Sequence, residues 1–255
     1  MSHLIKKIRG FGLIENLIAL TVGLILLAGL IQLFIHAKMT YQLSEEMNQL
    51  QDNGRFISYY LPNLLRQAGY RTPPHSQLYS PFDAVFSEPF LTAQNDIGIN
   101  ASDILTLRFQ GHQDGKIRDC LQNPVPGNQV TTNILSINDA YQLECRTIHQ
   151  NPALDQTGVL ASGVENFQVL FGEDIDNDLS PDRYVPANYP GLDLNNIISI
   201  RISFLLQTQD NVSQVINNNQ FNLLSVKYIS PADKRVRKMF TTTVYLRNRA
   251  SHSAT

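Results

Sequence analysis

The sequence predicts an α+β protein. A long N-terminal α-helix, membrane-spanning in its first half and amphipathic in its second, packs on an antiparallel β-sheet head domain. Three features predict this fold: an apolar stretch from Phe11 to Ala37, a heptad pattern that follows it, and strand-like alternation over most of the remaining chain.

The apolar stretch has the length of a transmembrane helix. About 20 apolar residues cross a bilayer, and the 25 residues from Phe11 to Ile35 contain one charged side chain, Glu15. A secretory signal has an apolar region of roughly 7 to 15 residues, which is shorter than this one. The positive-inside rule leaves the N-terminus in the cytoplasm and places the rest of the chain across the membrane, because the preceding residues are basic: Lys6, Lys7 and Arg9.

The helix is predicted to continue beyond the membrane to about residue 70. Apolar or small residues recur there at alternating spacings of four and three, which is a heptad pattern. Gly69 and the prolines that follow it end the helix. The heptad positions are Leu43, Met47, Leu50, Gly54, Ile57, Leu61, Leu64 and Ala68.

The remainder of the chain alternates between apolar and polar residues, as strands with one buried face do. An antiparallel sheet of this kind needs a cover, and the heptad stripe of the helix can supply it. The clearest predicted faces are Leu105, Leu107 and Phe109; Phe167, Val169 and Phe171; Ile198, Ile200, Ile202, Phe204 and Leu206; and Phe240, Thr242, Val244 and Leu246.

The segment from Gly10 to Glu15 resembles the type IV prepilin signature. In that family a peptidase cuts after the glycine and methylates the new N-terminal phenylalanine, so the resemblance places the cut between Gly10 and Phe11 and makes Glu15 the fifth mature residue. Gly12 departs from the family, which usually has Ser or Thr there. The implied divisions are a prepilin leader, the spanning half of the helix, its amphipathic half and a periplasmic β-rich head: 1–10, 11–37, 38–70 and 71–255.

Glu15 is the anomaly of the apolar stretch, because an ionised side chain at the level of the hydrocarbon is costly. After cleavage, the carboxylate can pair with the charged amine of Phe11 in a neighbouring subunit. Such a buried pair adds little net stability but sets the register, since breaking it leaves a charge unpaired at a cost of roughly 3 to 5 kcal/mol. The alternative is a plain signal anchor in which Glu15 reaches the membrane interface.

The net charge argues against a nucleic-acid partner. The chain carries −2, and loss of the leader removes three basic residues and no acid, which leaves −5. A nucleic-acid-binding domain favours a basic patch. The short basic run before the last strand is interpreted as a solvated lead-in to it: Lys234, Arg235, Arg237 and Lys238.

The two cysteines, Cys120 and Cys145, both lie on the exported side. In an oxidising compartment an even count indicates one disulfide, worth about 3 kcal/mol through its constraint on the unfolded chain. The alternative is two unrelated buried thiols. A zinc site is disfavoured because no histidines stand at ligand spacing.

An acidic run has the spacing of a calcium loop. Its oxygen-bearing residues match positions 1, 3, 5, 7 and 9 of such a loop. Leu179 stands where the turn glycine belongs, and Val185 stands in place of the bidentate glutamate. The sequence therefore leaves open weak calcium binding or a solvated turn between two strands, formed by Asp174, Asp176, Asp178, Ser180 and Asp182.

No catalytic constellation is found in the sequence, and no cofactor other than calcium is expected. There is no HExxH, GxSxG or GxxxxGK motif. The histidines are scattered: His3, His36, His75, His112, His149 and His252. A role in assembly is therefore favoured over an enzymatic one.

Several segments together resemble PilW-type minor pilins. They are Gln51–Phe56, Arg66–Tyr70, Phe171–Val185 and Arg237–Asn248. In that family the acidic segment often has a glycine where Leu179 stands, and this difference argues against a cation site inherited from the family.

The resemblance implies a type IV pilin-like fold and a low-abundance subunit that primes pilus assembly and stays at the fibre tip. The implied partners are other minor pilins, the major pilin, the prepilin peptidase, the inner-membrane assembly platform and a tip adhesin. Two alternatives remain: a minor pseudopilin of type II secretion, and a membrane-tethered periplasmic binding module that never polymerises. A tether needs neither cleavage after Gly10 nor an acid at Glu15.

Overall fold

A computed structural model describes residues 12–71, 89–127 and 129–248. Within these ranges the chain forms one long helix followed by strands. The helix α1 spans Leu13–Leu65. The strands are β1 Leu91–Gln94, β2 Ile104–Gln110, β3 Val130–Ile137, β4 Gln142–His149, β5 Gln156–Ser162, β6 Val164–Glu173, β7 Arg183–Val185, β8 Ile197–Gln207, β9 Gln220–Leu223, β10 Val226–Ile229 and β11 Arg237–Tyr245.

The strands form two sheets and a hairpin. The first sheet is a five-stranded meander in the order β1-β2-β3-β4-β5, and the second has the order β11-β8-β6-β7. Strands β9 and β10 pair as a separate hairpin. Every strand pair of these sheets is antiparallel, so the long helix and the antiparallel sheets confirm the predicted α+β fold.

The chain divides into two compact units, Met1–Glu45 and Glu46–Thr255. In the second unit, the end of α1 and both sheets share one apolar core. Fully burying one Leu, Ile or Phe side chain contributes roughly 1.5 to 3 kcal/mol. Six of the eight predicted heptad positions are buried in this core: Leu50, Gly54, Ile57, Leu61, Leu64 and Ala68.

The helix ends at Leu65, five residues before the expected boundary, and a turn runs on to Gly69. Gly69 has φ +74°, a left-handed conformation that glycine adopts without strain. The Asn248 side-chain amide donates to the carbonyls of Arg66 and Ala68 at 2.9 and 3.3 Å. Asn248 therefore supplies donors to carbonyl groups of the turn that follows the helix.

Strand β6 has no solvent-exposed face, unlike the strand that the alternating sequence predicts, because every one of its residues is buried. The predicted face of Phe167, Val169 and Phe171 packs in the core. On the other face, Gln168 Nε2 donates to the carbonyl of Ala101 at 2.7 Å. A loop segment thus covers the second face with hydrogen bonds rather than apolar contacts, which alternation alone does not reveal.

Candidate functional site

The first half of α1 is apolar on all sides and exposed. Its large apolar side chains have relative exposures from 44% at Ile35 to 78% at Leu13. Among the described residues, α1 is the one helix with the length and composition to cross a membrane. A helix that is apolar all round requires lipid or other apolar helices around it.

Glu15 lies in the first turn of this helix and is its one acidic residue there. Its Oε2 accepts a hydrogen bond from the backbone N–H of Gly12 at 2.9 Å. The geometry is that of the glutamate in a capping box, which reaches back to an unpaired N–H at the helix start. Oε1 accepts no hydrogen bond from the part of the chain that the structure describes. The predicted processing residues, Gly10 and Phe11, lie outside that part.

Cys120 and Cys145 form a disulfide, with their Cα atoms 6.3 Å apart and both side chains fully buried. The bond ties the loop before β3 to the middle of β4. Tyr60 of the helix donates its hydroxyl to the Cys120 carbonyl at 2.6 Å. The loop is therefore held from both sides, by the sheet and by the helix.

A buried polar cluster that the sequence did not reveal lies beside the disulfide. Thr131 Oγ1 is 3.0 Å from His149 Nδ1, and His149 Nε2 is 3.7 Å from Asp119 Oδ2. Asp119 Oδ1 also accepts the backbone N–H groups of Leu121 and Asn123. Thr131 and Asp119 are 0% exposed and His149 is 8% exposed. No substrate can reach the Thr131 hydroxyl, so the cluster holds the loop in place, and no motif spacing could have predicted it.

The acidic run forms a tight loop after β6. The carboxylates of Asp174, Asp176 and Asp182 can bring oxygen atoms within 4.8 Å of one another. Asp178 does not join this group, and its Oδ1 accepts the N–H of Ser180 at 2.7 Å. Of the four predicted carboxylate ligands, the structure therefore brings three together.

The buried Asp174 of this loop is partly engaged already. Its Oδ1 accepts the N–H of Asp178 at 3.2 Å and its Oδ2 accepts the N–H of Leu179 at 3.1 Å. Leu179, in the place of the turn glycine, has φ +70°. The loop therefore makes its sharp turn with a leucine in the left-handed region. The hydrogen bonds within the loop resemble those of a turn that binds no metal.

The interpretation of the basic run as solvated is wrong for Arg237. Its side chain is 3% exposed and its Nε donates to the fully buried Glu165 at 2.5 Å. Nη1 and Nη2 donate to the two carboxylate oxygens of Asp233 at 2.7 and 2.8 Å. Burial lowers the pKa of Arg237, but the bonds to Asp233 and Glu165 outweigh it and raise that pKa. The arginine is recruited into the fold because Glu165, on β6, would otherwise be a buried unpaired charge.

Comparisons with known proteins give two family matches. Residues 129–248 match the family described as Type IV Pilus-assembly protein W. Residues 5–31 match the prokaryotic N-terminal methylation motif. The curated proteins contain no significant match. Among solved structures, the chain is similar to a type IV-like pilin, TTHA1219, from Thermus thermophilus, with 12% identity, a TM-score of 0.49, and coverage of 82% of this chain and 100% of that one.

Proposed function

We propose that this chain, whose residues 129–248 match the PilW family and whose residues 5–31 match the N-terminal methylation motif, is a minor pilin that joins other minor pilins, primes type IV pilus assembly and stays at the fibre tip. Pilin association and prepilin processing follow from the family. The priming role, the tip position and the identity of each partner are the proposal. The proposed role is structural rather than enzymatic.

The observation that carries the proposal is Glu15 in the first half of α1, which is exposed and otherwise uncharged. The apolar side chains of Leu13–Ile35 are exposed in the single chain and therefore need lipid or other apolar helices around them, and Glu15 retains an oxygen with no partner among the described residues. Cleavage after Gly10 would place a charged amine at Phe11, within reach of a neighbour's carboxylate. Pairing favours aligned stems because a misaligned neighbour leaves a charge unpaired.

The proposed topology is a single pass through the bacterial inner membrane. The basic leader lies in the cytoplasm, and the head lies in the periplasm until the subunit enters the fibre. The Cys120–Cys145 disulfide supports this orientation, because such bonds persist in oxidising compartments. The proposed partners are other minor pilins, the major pilin, the prepilin peptidase, the assembly platform and a tip adhesin.

Processing is tested with Gly10→Ala, and Gly12→Ala is its matched control. We expect Gly10→Ala to keep the mass of the uncut chain in membranes, while Gly12→Ala is cut normally because a Cβ at Gly12 meets only Glu15 Oε2, at 3.8 Å. Normal cutting of Gly10→Ala contradicts the prepilin assignment.

Assembly is tested with Glu15→Gln, which keeps the size of the side chain and removes its charge. We expect normal processing but fewer surface pili, whereas Asn16→Ala leaves pilus number unchanged. An undiminished number of pili in Glu15→Gln contradicts the pairing argument.

Deletion of the gene distinguishes a pilus subunit from a pseudopilin of type II secretion. Cells that lack a pilus subunit lose surface fibres, whereas cells that lack a pseudopilin lose exported enzymes.

A further inference from the structure

A groove of about 610 Å³ lies in the second unit, on the side of α1 away from the buried heptad stripe. Residues of α1 and of the turn after it, from Phe56 to Gln67, form one wall, the disulfide-tethered loop 116–122 forms another, and Val159 and Leu160 of β5 form the third. We call it the aromatic groove. Its volume lies in the range of ligand-binding pockets.

The helix wall of the aromatic groove is aromatic and accessible. Phe56 and Tyr60 stack with ring centroids 5.2 Å apart. Tyr59 is 76% exposed, Phe56 45% and, across the groove, Val159 49%. Exposed aromatic side chains gathered on one surface are typical of the centres of protein interfaces.

The charges on the aromatic groove are of one sign. Lys116 and Arg118 line it, and no carboxylate does. Lys116 Nζ lies 3.2 Å from Asp114 Oδ2, outside the groove. Arg118 donates to the carbonyl of Gln122 at 2.7 Å, which leaves its charge uncompensated by any lining residue. The groove therefore complements a partner that is apolar and acidic.

Among the described residues, two hydrogen-bonding features beside the groove have no partner: the side-chain oxygen of Gln67 and the outer edge of β5. Gln67 Oε1 is a buried acceptor with no donor among the described residues. The backbone N–H of Asn138 donates to the carbonyl of Gln142. This bond shows that alternate residues of β4, counted from Gln142, direct their backbone N–H and C=O groups toward β3. Alternation of the antiparallel ladder then turns the backbone N–H and C=O of Thr157 and Val159 outward from β5, which is an edge strand. An open strand edge can pair with an extended chain.

We infer that the aromatic groove binds an extended acidic segment of a partner protein. Apolar side chains of that segment pack between Tyr59 and Val159, its carboxylates meet Lys116 and Arg118, and its backbone pairs with the edge of β5. This binding goes beyond the assembly role, because it needs neither cleavage of the leader nor pairing of Glu15, and it would serve a non-polymerising tether equally well.

The test uses the full chain in the cells from which its gene comes, with the photoreactive residue p-benzoylphenylalanine in place of Tyr59. After irradiation, the cross-linked peptide is identified by mass spectrometry. We expect an adduct with a segment of another protein that carries at least two carboxylates within about seven residues. The photoreactive residue in place of Tyr245, a tyrosine 57% exposed on β11, is the matched control and should not give that adduct.

Charge dependence is measured in the same cells. The double variant Lys116→Glu/Arg118→Glu should lower the adduct yield at least tenfold, while Lys227→Glu, an exposed lysine on β10, should leave it unchanged. Replacing the carboxylates of the identified segment by lysine should restore the yield in the double variant. Both groove residues are exposed, so the fold is retained.

Four results overturn the inference: no adduct at Tyr59, an adduct with lipid or with a second copy of this chain, an adduct with a neutral or basic segment, or a yield that survives the charge reversal. Since processing and pilus number are scored separately through Gly10 and Glu15, failure here is distinguishable from failure of the proposed function.

Discussion

The ring of Phe240 occupies the space in which a side chain at Gly54 would lie. A Cβ built on Gly54 overlaps the ring carbons of Phe240, and that ring stacks on Phe204 with centroids 5.5 Å apart. The glycine in the heptad stripe thus lets α1 approach the edge strand β11. In the sequence Gly54 is only a small residue at one of the heptad positions, whereas the packing depends on its lack of a side chain.

Gly54→Ala is expected to lower the free energy of unfolding by about 1 to 2 kcal/mol. Overpacking costs about 1 to 3 kcal/mol, and the better helix propensity of alanine returns up to about 1 kcal/mol. Chemical denaturation of the full chain in detergent measures the change. The companion variant Gly54→Ala/Phe240→Leu, with a smaller side chain opposite, should be less destabilised than the sum of the two single variants, and strict additivity would contradict the contact.

Arg237→Gln is expected to cost about 3 to 5 kcal/mol, because it leaves Glu165 buried without its cation. The apolar double variant Glu165→Leu/Arg237→Met should recover part of that loss, since it removes both buried charges. Arg247→Gln on an exposed arginine is the control and should change stability by about 0.5 kcal/mol or less. Equal effects of Arg237→Gln and Arg247→Gln would show that the buried network is not formed.

The sequence predicted what depends on periodicity, and it missed what depends on distant pairing. The helix, its buried stripe and the strand faces each produce a regular spacing of apolar residues, so the sequence pattern predicted them. The pair of Glu165 and Arg237 joins residues 72 positions apart, and Thr131, His149 and Asp119 meet only after the loop folds over β3 and β4. A basic run looks the same whether it is solvated or recruited by a buried acid. The disulfide could be predicted from the sequence because two cysteines can pair in only one way.

The disulfide is expected to contribute about 3 kcal/mol, from a loop whose ends are 25 residues apart. Alkylation of unreduced chain should find no reactive thiol. The variant Cys120→Ala/Cys145→Ala should unfold at a lower denaturant concentration than the parent chain. Dithiothreitol should lower the unfolding midpoint of the parent to that same concentration. Any effect of dithiothreitol on the double variant, or two reactive thiols in the parent, would contradict the bond.

Burial of Asp103 predicts stability that falls as the pH rises. The carboxyl is 1% exposed, and burial raises its pKa from 3.8 to about 6, although it accepts the N–H groups of Asp96 and Val169. The folded chain therefore holds a proton that the unfolded chain releases between about pH 4 and pH 6. The free energy of unfolding should fall across that window, by up to about 3 kcal/mol from this group.

The variant Asp103→Asn is neutral at every pH and should lose the decline between pH 4 and 6. Asp52→Asn, on an exposed carboxylate of α1, should keep it. Below pH 4 a different group acts in the opposite sense: the bond to Arg237 lowers the pKa of Asp233, so protonation of Asp233 removes stability as the pH falls. An unchanged pH profile in Asp103→Asn would contradict the assignment.

Calcium at the acidic loop stays a prediction, and the geometry predicts that it is weak. Three carboxylates can converge, but both oxygens of Asp174 already accept backbone N–H groups, and Asp182 Oδ2 accepts that of Ile175 at 2.6 Å. With a dissociation constant near 1 mM, 10 mM calcium should stabilise the chain by about 1.4 kcal/mol. Asp176→Asn should abolish that gain, while Asp210→Asn, on an exposed acid elsewhere, should keep it. A melting temperature that 10 mM calcium leaves unchanged would mean that the run is a solvated turn, closed by its own hydrogen bonds.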